Sequence, residues 1–429
     1  MLPAVMQGSG RGCRLLYIGD DWAEGHHDVA MQDEAGKTLA RRRLPEGADG
    51  IARFHELVAA RFGGDGEPDP AQVIVVIETE RGPWVKALAA AGYRVYPVNP
   101  RQAARHKETI SNSGKKDDFF DAECLADMGR TRRHQLRELA PDSDIAEAVK
   151  IAARSHQKLV WERTRHQLRM RSALREYFPA ALEAYKDTGL TGKDTLELLQ
   201  KAPEPGSAAR LTAAQIAAAL KRAGRRGDLQ ERARQIRAAL RTEHLGQPEV
   251  IAEAYAAGVQ AGAAVITALN EQVKIMEARV SELFSRHPDA GLYLSQPGIG
   301  DITGARILGE YGDAPGRYAS AKGRKNYAGT SPLTIQSGKK KSVHARHIRN
   351  KHLIDAVHAQ GMSVISASPG ARAYYDELKD RDIGHNDALR RVASRLQGIL
   401  HGCLKTGRAY DESAAWPRHD SLTETAEAA

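Results

Sequence analysis

The run Val73–Ile77 (VIVVI), followed directly by Glu78, is the feature that most constrains the fold. A loop rich in Gly, Pro and Asp, residues 63–70, precedes this run. A continuous apolar run bounded in this way is typical of a strand buried on both faces of a sheet. The pattern therefore predicts that this part of the chain is α/β, with helices covering the sheet.

The segments around this run give an order of elements. Residues 15–20 are apolar, residues 27–33 alternate, and residues 37–44 continue as a third strand, so three strands form a meander. Further elements are predicted as helices over 50–62, 84–91, 100–109 and from 118 onward, and as strands over 72–77 and 93–98. This is the order of elements in the ribonuclease H-like fold, although fold analogy alone does not establish function.

The middle of the chain has a different pattern. Residues 140–290 are rich in Ala, Arg, Glu, Gln and Leu, and they carry few strand signals. One apolar seam has a 3-4-3-4-3 spacing and consists of Ile266, Leu269, Val273, Met276, Val280 and Leu283. This spacing is typical of a coiled coil or a helical hairpin. Residues 188–246 contain Gly and Pro breaks and are interpreted as an insertion between long helices.

These patterns predict five segments. Residues 1–13 are expected to be a disordered N-terminus, and residues 413–429 a flexible polar tail. Between them we expect an α/β catalytic domain (14–135), a long helical, coiled-coil spacer with an insertion (136–290) and a mainly α C-terminal domain (291–412).

The charge is concentrated in one window. The chain has 63 Lys+Arg against 54 Asp+Glu, a formal charge of +9. The window 314–354 contains ten basic residues and no acidic ones: Arg317, Lys322, Arg324, Lys325, Lys339, Lys340, Lys341, Arg346, Arg349 and Lys351. The other residues carry 53 basic and 54 acidic side chains, a net of −1. Such a block predicts a polyanionic partner, although a basic surface loop has the same composition.

Several classes of protein are disfavoured. Aromatic residues make up only 5%, which argues against a binder built on base stacking. Purely apolar runs such as Val73–Ile77 are at most five residues long, far shorter than the ~20 residues that span a bilayer, so no membrane association is expected. The N-terminus lacks a signal-peptide pattern, and Cys13, Cys124 and Cys403 are isolated. We therefore expect a reducing, cytoplasmic location with no disulfide framework.

Acidic residues follow two of the predicted strands and begin a helix. Asp20 and Asp21 end the first strand, Glu78 ends the buried strand, and Asp118 and Asp121 share one helix face. Each acid alone fits a turn or a helix cap. Together they are predicted to converge and to bind a divalent cation, Mg²⁺ (or Mn²⁺), since clustered carboxylates repel one another without one. Two such ions assist phosphoryl transfer.

At these residues the chain resembles the transposases of insertion-sequence family 110. The resemblance lies in the segments GDDWAEGHHDVAMQDEAG, VIETERGPWVKALAAAGYRVYPVNPRQAAR and SGKKDDFFDAECLADMGR. The family has a DEDD tetrad in a domain similar to the Holliday-junction resolvase RuvC. The resemblance implies a RuvC-like, ribonuclease H-like N-terminal domain whose catalytic, metal-binding tetrad is Asp21, Glu78, Asp118 and Asp121. Asp20 departs from the family pattern, which has an apolar residue there.

Two C-terminal motifs extend the argument. QPGIGDITGARIL (296–308) reads as a Gly-rich hairpin opening a helix, similar to a helix-hairpin-helix, although a plain turn between helices has the same pattern. The family motif Ala-Gly-x-x-Pro, with Ser-Gly five residues after the Pro, matches Ala328, Gly329, Pro332 and Ser337-Gly338. The resemblance implies that Ser337 is the catalytic nucleophile. The predicted nucleic-acid-binding residues are Gly298, Gly300, Lys322, Arg324, Lys325, Lys339, Lys340, Lys341, Arg346 and Arg349.

The resemblance further implies how the chain works. Ser337 would form a 5′-phosphoserine intermediate, which conserves the phosphodiester energy, and the tetrad and serine would come from different protomers of a dimer or tetramer. Donor and target DNA would be selected by pairing with a structured bridge RNA, so that the protein reads shape and backbone. The protein would act in the bacterial cytoplasm, associated with the nucleoid.

Two alternatives stay open on the sequence. One is a RuvC-like, metal-dependent Holliday-junction nuclease that uses water instead of the serine, and the other is a non-catalytic nucleic-acid-binding regulator. His26 and His27 are interpreted as structural more readily than as metal ligands. Tyr318 and Tyr327 have no supporting pattern as nucleophiles, and His344 and His347 suit phosphate contacts better than proton donation.

Overall fold

The fold was analysed in a computed structural model that describes residues 15–62, 69–111, 117–338, 340–346 and 349–417. The chain divides into two structural units, with the boundary between Pro141 and Asp142. The predicted disordered segment 1–13 lies outside the described residues.

The first unit consists of one sheet with helices on both faces. Its strands are β1 (Leu16–Ala23), β2 (His26–Gln32), β3 (Thr38–Pro45), β4 (Val73–Ile77) and β5 (Arg94–Pro97). Its helices are α1 (Ala48–Phe62), α2 (Pro83–Ala90), α3 (Pro100–Ile110) and α4 (Asp118–Arg132), with short 3₁₀ turns at Pro70–Gln72 and Arg133–Gln135. The predicted α/β character of this region is confirmed.

The sheet has the order β3-β2-β1-β4-β5. Strands β1, β2 and β3 form an antiparallel meander, and β4 and β5 run parallel to β1. All five residues of β4 are buried, as the apolar run predicts, because alternate side chains enter cores on opposite faces of the sheet. The carboxyl ends of β1 and β4 therefore lie at the same edge.

Helix α4 lies directly against β1 because glycine removes the side chain at the contact. A Cβ atom at Gly19 would lie 1.8 Å from the carbonyl oxygen of Ala122 in α4. A Cβ at Gly129 would lie 2.8 Å from Val76 of β4. These two close approaches fix the course of α4 across the sheet and bring its N-terminus to the carboxyl edge of β1.

The second unit is mostly helical, as predicted for the rest of the chain. Its helices are α5 (Asp144–Tyr177), α6 (Pro179–Ala184), α7 (Lys193–Lys201), α8 (Pro205–Ala209), α9 (Ala213–Arg222), α10 (Leu229–Leu240), α11 (Glu249–Ser285), α12 (Ala290–Leu294), α13 (Asp301–Tyr311), α14 (Ala321–Ala328), α15 (Lys351–Ala367), α16 (Pro369–Asp380), α17 (His385–Thr406) and α18 (Glu412–Ala415). A two-stranded sheet joins them, formed by β6 (Leu333–Ser337) and β7 (Lys340–His344).

The long helices α5 and α11 run antiparallel and share a core along their length. The start of α5 packs with the end of α11, around Val149 and Val280, and the end of α5 packs near Val259. Of the predicted seam, Ile266, Val273, Val280 and Leu283 are buried, while Leu269 and Met276 are partly exposed. Helices α6–α10 lie between α5 and α11 in the chain and complete the core at one end.

Helix α11 is long and apolar enough to cross a membrane by length and composition. The core helix of a soluble protein passes the same test. Here α11 contributes buried residues to two of the helical cores of the unit.

Two features differ from the sequence expectations. The β6–β7 hairpin was not predicted, although LTIQS and KKSVH flank a glycine, the pattern of a hairpin. The flexible tail predicted from Ser413 is wrong at its start, because α18 includes Ser413 and the Trp416 side chain is fully buried. Trp416 packs in the core of α15–α17, so an apolar contact overrides the polar local sequence.

Candidate active site

The doublet Asp20–Asp21 points to opposite faces of the sheet, because successive strand residues alternate. Asp20 is fully buried, whereas Asp21 is only partly buried. This assigns separate roles to two carboxylates that are adjacent in sequence.

Asp20 belongs to a closed polar network. The Trp84 indole Nε1–H donates to one Asp20 oxygen at 2.7 Å, and His27 Nδ1 lies 2.7 Å from the other. His27 Nε2 lies 2.6 Å from Glu46, and its ring stacks on Trp84 with centroids 3.7 Å apart. Burial raises the pKa of Asp20, and the two neighbouring carboxylates raise the pKa of His27. Both His27 nitrogens face carboxylates, so the interpretation of this histidine as structural agrees with its contacts.

Asp21 faces the other carboxylates of the predicted tetrad. Asp20 pairs with Ile77 in the parallel register of β1 and β4, which places Glu78, the next residue, level with Asp21. Asp118 and Asp121 lie in the first turn of α4. Burial and the charges of Asp121, Glu78 and Asp118, in that order, raise the pKa of Asp21 to about 7. The structure therefore brings all four predicted acids within electrostatic reach of one point.

The pKa of Glu78 is raised as well, first by burial and then by Asp121, while Lys107 opposes the shift. Lys107 of α3 forms an ion pair with Asp121. The surplus of negative charge at this edge is thus partly balanced by a lysine.

Sequence reasoning missed two residues on the meander. Asp28 lies opposite Asp21 in the β1–β2 register, is buried, and also raises the Asp21 pKa. Arg43 of β3 binds both Asp28 oxygens, at 2.8 and 2.7 Å, and reaches Asp118 at 3.3 Å. The antiparallel pairing of β2 with β3 brings Arg43 opposite Asp28, a register that the sequence does not reveal.

The donor set at this edge suits a hard divalent cation, because every candidate ligand is a carboxylate oxygen. Within the part of the chain that the structure describes, however, no three acidic, histidine or cysteine side chains converge at metal-ligand spacing. The carboxylates lie apart because like charges repel one another. Asp118 instead pairs with Arg43, and Asp121 pairs with Lys107. Burial and, after it, the same repulsion raise the pKa of Asp21.

Ser337 ends strand β6 in the second unit and is exposed. It pairs with Lys340, and Gln336 pairs with Lys341, so basic side chains flank it on the opposite strand. Gly338, directly after Ser337, has φ +56°, a conformation that favours glycine. Lys340 and Lys341 are exposed, as phosphate binding requires, whereas Lys339 and His347 lie outside the described residues.

Polar contacts hold Asn350, which lies six residues after the end of β7. Asn350, which caps α15, donates from its amide nitrogen to Glu310 at 2.6 Å and to the Tyr327 hydroxyl at 3.2 Å. Glu310 in turn accepts two hydrogen bonds from Arg154 of α5, at 2.5 and 2.7 Å. These bonds fasten the start of α15 to α13 and α5. They also engage the Tyr327 hydroxyl.

Arg324, one of the predicted nucleic-acid-binding residues, lies in the interior of the second unit. It is only 8% exposed, and its guanidinium lies over the rings of Tyr311 and Tyr318, at 4.5 and 4.6 Å. These contacts stabilise the interior of the unit. Lys325 is also half-buried, and burial lowers its pKa.

The other predicted nucleic-acid-binding residues differ in exposure. Lys322, Arg349 and Gly300 are exposed, and Arg346 is partly buried. Gly300 caps α13 with open space around its Cα. Gly298 has φ +75°, and a Cβ there would lie 2.8 Å from the backbone of Val364, so its glycine is required by packing against α15. Exposure therefore leaves Gly300 available to a phosphate, while Gly298 has a structural role.

Comparison with known proteins identifies the class of enzyme. Residues 18–179, which include the whole candidate tetrad, match a family of IS110 transposases with the DEDD motif. Residues 291–376, which include Ser337, match the transposases of the IS116/IS110/IS902 family. The protein is therefore a transposase, an enzyme that cleaves and rejoins DNA.

Individual relatives give the same result over nearly the whole chain. A protein of Streptomyces coelicolor named as the mini-circle transposase for IS117 is 37% identical over 403 residues, covering 94% of this chain and 96% of the relative. The 43.6 kDa protein of insertion element IS110 from the same organism is 27% identical, covering 92% and 95%. The 42 kDa protein of IS900 from Mycobacterium paratuberculosis is 28% identical, covering 90% and 94%. The chain belongs to the IS110 family of insertion-sequence transposases, a family whose DEDD motif implies dependence on a divalent metal.

Proposed function

We propose that this transposase cuts and rejoins DNA through two groups of residues that act together. Asp21, Glu78, Asp118 and Asp121 hold Mg²⁺ (or Mn²⁺), and Ser337 is the nucleophile. The observation that carries the proposal is the position of Asp21 beside the other three acids: burial first, and then the charges of Asp121, Glu78 and Asp118, raise its pKa to about 7. Such repulsion is costly without a function, and a bound divalent cation relieves it.

We also assign the first unit to the ribonuclease H-like, RuvC-like fold. The strand order β3-β2-β1-β4-β5, with an antiparallel meander and two parallel strands, supports this assignment. So does the position of the acids at the carboxyl edge of β1 and β4, where α/β sheets hold their ligands.

The reaction is a pair of phosphoryl transfers. Ser337 Oγ attacks a backbone phosphorus, the Oγ–P bond forms, and the bond from phosphorus to the 3′ oxygen breaks. The serine proton passes to a base, and the departing 3′ oxygen becomes a hydroxyl. The product is a 5′-phosphoserine, and attack by another 3′-hydroxyl reverses these bond changes, so rejoining needs no ATP. A divalent cation at the tetrad supplies positive charge to the transferring phosphoryl oxygens.

The basic side chains around Ser337 bind the flanking phosphates in this scheme. Lys340 and Lys341 are exposed on the strand paired with β6, and Lys322 and Arg349 are exposed nearby in the sequence. Cations at these positions attract a polyanion and hold it by charge, without reading its sequence.

We further propose the partners that the family resemblance implies. Donor and target DNA are the substrates, and a structured bridge RNA selects them by base pairing. The protein acts as a homodimer or tetramer in which the tetrad of one protomer meets Ser337 of another. Its site of action is the bacterial cytoplasm, on the nucleoid.

The serine variant tests the mechanism. Ser337→Ala and the control Ser342→Ala, on the facing strand, are incubated with Mg²⁺, co-purified RNA and 5′- or 3′-labelled DNA containing the element ends. Denaturing gels then separate protein-linked DNA from free product. We expect wild-type protein and the control variant to form a covalent species and rejoined strands, and the Ser337→Ala variant to form neither.

Other outcomes distinguish the alternatives. Unchanged strand exchange by Ser337→Ala would exclude the serine mechanism. Cleavage without covalent attachment, by both wild type and variant, would instead indicate a RuvC-like nuclease that uses water. DNA binding without Mg²⁺-dependent cleavage would indicate a regulator. Sequencing the RNA that co-purifies with the chain tests the guide proposal separately.

A further inference from the structure

A second basic region lies in the first unit, outside the charge window of the C-terminal domain. Residues 130–137 contain Arg130, Arg132, Arg133 and Arg137 together with His134, and no acidic residue. They form the last turn of α4 and the 3₁₀ turn that follows. Cations at a helix C-terminus are favoured by the helix dipole, but that effect accounts only for residues of the last turn.

Three of these side chains, Arg130, Arg133 and His134, line a cavity. It has a volume of about 420 Å³ and is lined mainly by polar and cationic groups: Arg94, Tyr96, Arg130, Arg133, His134 and Glu138. Arg94 belongs to β5, at the edge of the sheet, so the cavity joins a strand to the end of α4.

Part of this charge is balanced inside the unit. Glu138 accepts from Arg94 at 2.7 Å and from the Tyr96 hydroxyl at 2.8 Å. Arg130 forms an ion pair with Asp127. Arg133 lowers the Glu138 pKa only through its charge, after the effects of Arg94 and Tyr96. At the cavity, three arginines, Arg94, Arg130 and Arg133, lie near two carboxylates, Glu138 and Asp127, so positive charge is in excess there.

Two guanidinium N–H groups at the cavity have no acceptor. Arg133 Nη1 and Arg130 Nε are buried, and neither has a hydrogen-bond partner among the described residues. A buried donor left without an acceptor destabilises the fold. An anionic oxygen that enters the cavity would satisfy such donors and neutralise the remaining charge.

We propose that this cavity binds a backbone phosphate of a nucleic acid. Guanidinium groups suit a phosphodiester because several N–H donors face its oxygens at once. The aromatic ring at the site is not free to stack on a base, since the Tyr96 hydroxyl is bonded to Glu138 and Arg94 lies 5.7 Å from the ring centre. Recognition there is by charge and shape, independent of sequence.

The site is separate from the carboxylates. Arg133 follows Asp121 by twelve positions, which corresponds to about 18 Å of helix along α4. At 3.4 Å per base pair this is about five base pairs. The bound phosphate therefore lies away from the phosphate at the carboxylates, or belongs to a second nucleic-acid molecule. Its binding does not depend on the serine or metal chemistry.

The test compares Arg133→Gln with the matched control Arg42→Gln, an exposed arginine on β3 of the same unit. Binding of duplex DNA and of a structured RNA hairpin is measured by fluorescence anisotropy over a range of KCl concentrations, without divalent metal. For the nucleic acid that occupies the cavity, we expect Arg133→Gln to weaken binding several-fold. The slope of log Kd against log salt should fall by about 0.9 for a lost duplex contact, or about 0.7 for a single-stranded one.

Arg133→Lys keeps the charge and should recover most of the salt slope, and thermal unfolding of each variant checks that the fold is intact. Equal affinity and equal slope for Arg133→Gln and Arg42→Gln, with both nucleic acids, would overturn the proposal. A loss confined to DNA or to RNA identifies which of them supplies the phosphate. Because no cleavage is measured, failure here is distinct from failure of the proposed mechanism.

Discussion

The acidic edge of the first unit and the serine hairpin of the second are built in opposite ways. Asp21 lies on β1, Glu78 directly follows β4, and Asp118 begins α4. Buried cores on both faces of the sheet fix the backbones of these elements. Ser337 lies on a two-stranded sheet in which every residue of β6 is exposed. Packing positions the first group, whereas the strand that carries Ser337 is exposed along its length.

This difference predicts two kinds of variant. Changes at the acidic edge should alter the free energy of unfolding, because functional and core residues alternate there along the same strands. Changes on the hairpin should alter binding or chemistry and leave the stability unchanged. Four experiments test this contrast, and all use the full chain.

The largest effect on stability is expected for Gly19→Ala. The new Cβ would lie 1.8 Å from the Ala122 carbonyl oxygen and 2.5 Å from the Ala126 nitrogen, so α4 must move away from β1. We expect a loss of more than about 3 kcal/mol in unfolding free energy, measured by urea denaturation, together with a loss of cleavage. Gly25→Ala, where nothing lies within 4 Å, is the control and should be nearly neutral. Equal stability of the two variants would show that α4 does not fix the tetrad.

The next largest effect is expected for Asp20→Ala. This change leaves the Trp84 indole N–H and the His27 ring without their buried acceptor. Breaking a buried pair of this kind typically costs about 3–5 kcal/mol. Asp33→Ala, in the exposed turn after β2, is the comparison and should cost much less. Urea denaturation at neutral pH measures both, and a small loss for Asp20→Ala would contradict the role given to this network.

Asp21→Asn should have the opposite effect on stability. The folded-state pKa of Asp21 is raised from 3.8 to about 7, so the folded protein binds this proton more tightly than the unfolded chain does. Asp21 therefore destabilises the metal-free fold increasingly as the pH rises from about 4 to about 7. At 1.36 kcal/mol per pKa unit, discounted for partial exposure, Asn should add about 2–4 kcal/mol at pH 8 and almost nothing below pH 4.

The same variant should lose about 10²–10³-fold or more in cleavage. Thermal unfolding as a function of pH, with and without Mg²⁺, separates the two effects: Mg²⁺ should stabilise the wild type more than Asp21→Asn. A variant that is less stable than the wild type at pH 8 without metal would contradict the convergence of carboxylates on Asp21.

The smallest effects are expected in the basic window 314–354. There we expect two basic residues, one buried and one exposed, to differ in their effect on stability. Arg324→Ala removes a buried cation from two tyrosine rings and should cost about 2 kcal/mol or more in stability. Lys341→Ala removes an exposed charge and should change stability by less than about 0.5 kcal/mol. It should instead lower the salt slope of DNA binding by about 0.9. Thermal unfolding and salt-dependent binding measure the pair, and the reverse pattern would contradict the assignment.

Much of the first unit follows from sequence pattern. The run VIVVI, the three preceding strands and the alternation with helices predict the elements found, because a buried parallel strand and its helices have distinct periodicities. Acids at two strand ends and at one helix start predict a cluster at one edge of the sheet, and the family resemblance selects four of them. Their companions Asp28, Arg43 and Lys107 were not identified, because strand register and helix placement bring them there.

The second unit shows where local sequence is insufficient. Arg324 stands in a basic window that predicts a polyanion site, yet its guanidinium is buried between tyrosines. Trp416 stands in a polar segment that reads as a tail, yet it is fully buried in a core of distant helices. In both cases contacts between residues far apart in sequence decide the environment.

The sequence by itself determined the kinds of element, the candidate chemistry and the position of Ser337 within a recognisable motif, because these depend on local spacing and residue type. Only the tertiary structure decided which carboxylate of the Asp20–Asp21 doublet faces the tetrad, which basic residues are free to meet a nucleic acid, and that residues 130–137 line a cavity. The physical reason is that side-chain direction, burial and the electrostatic field at a site arise from segments that meet only when the chain is folded.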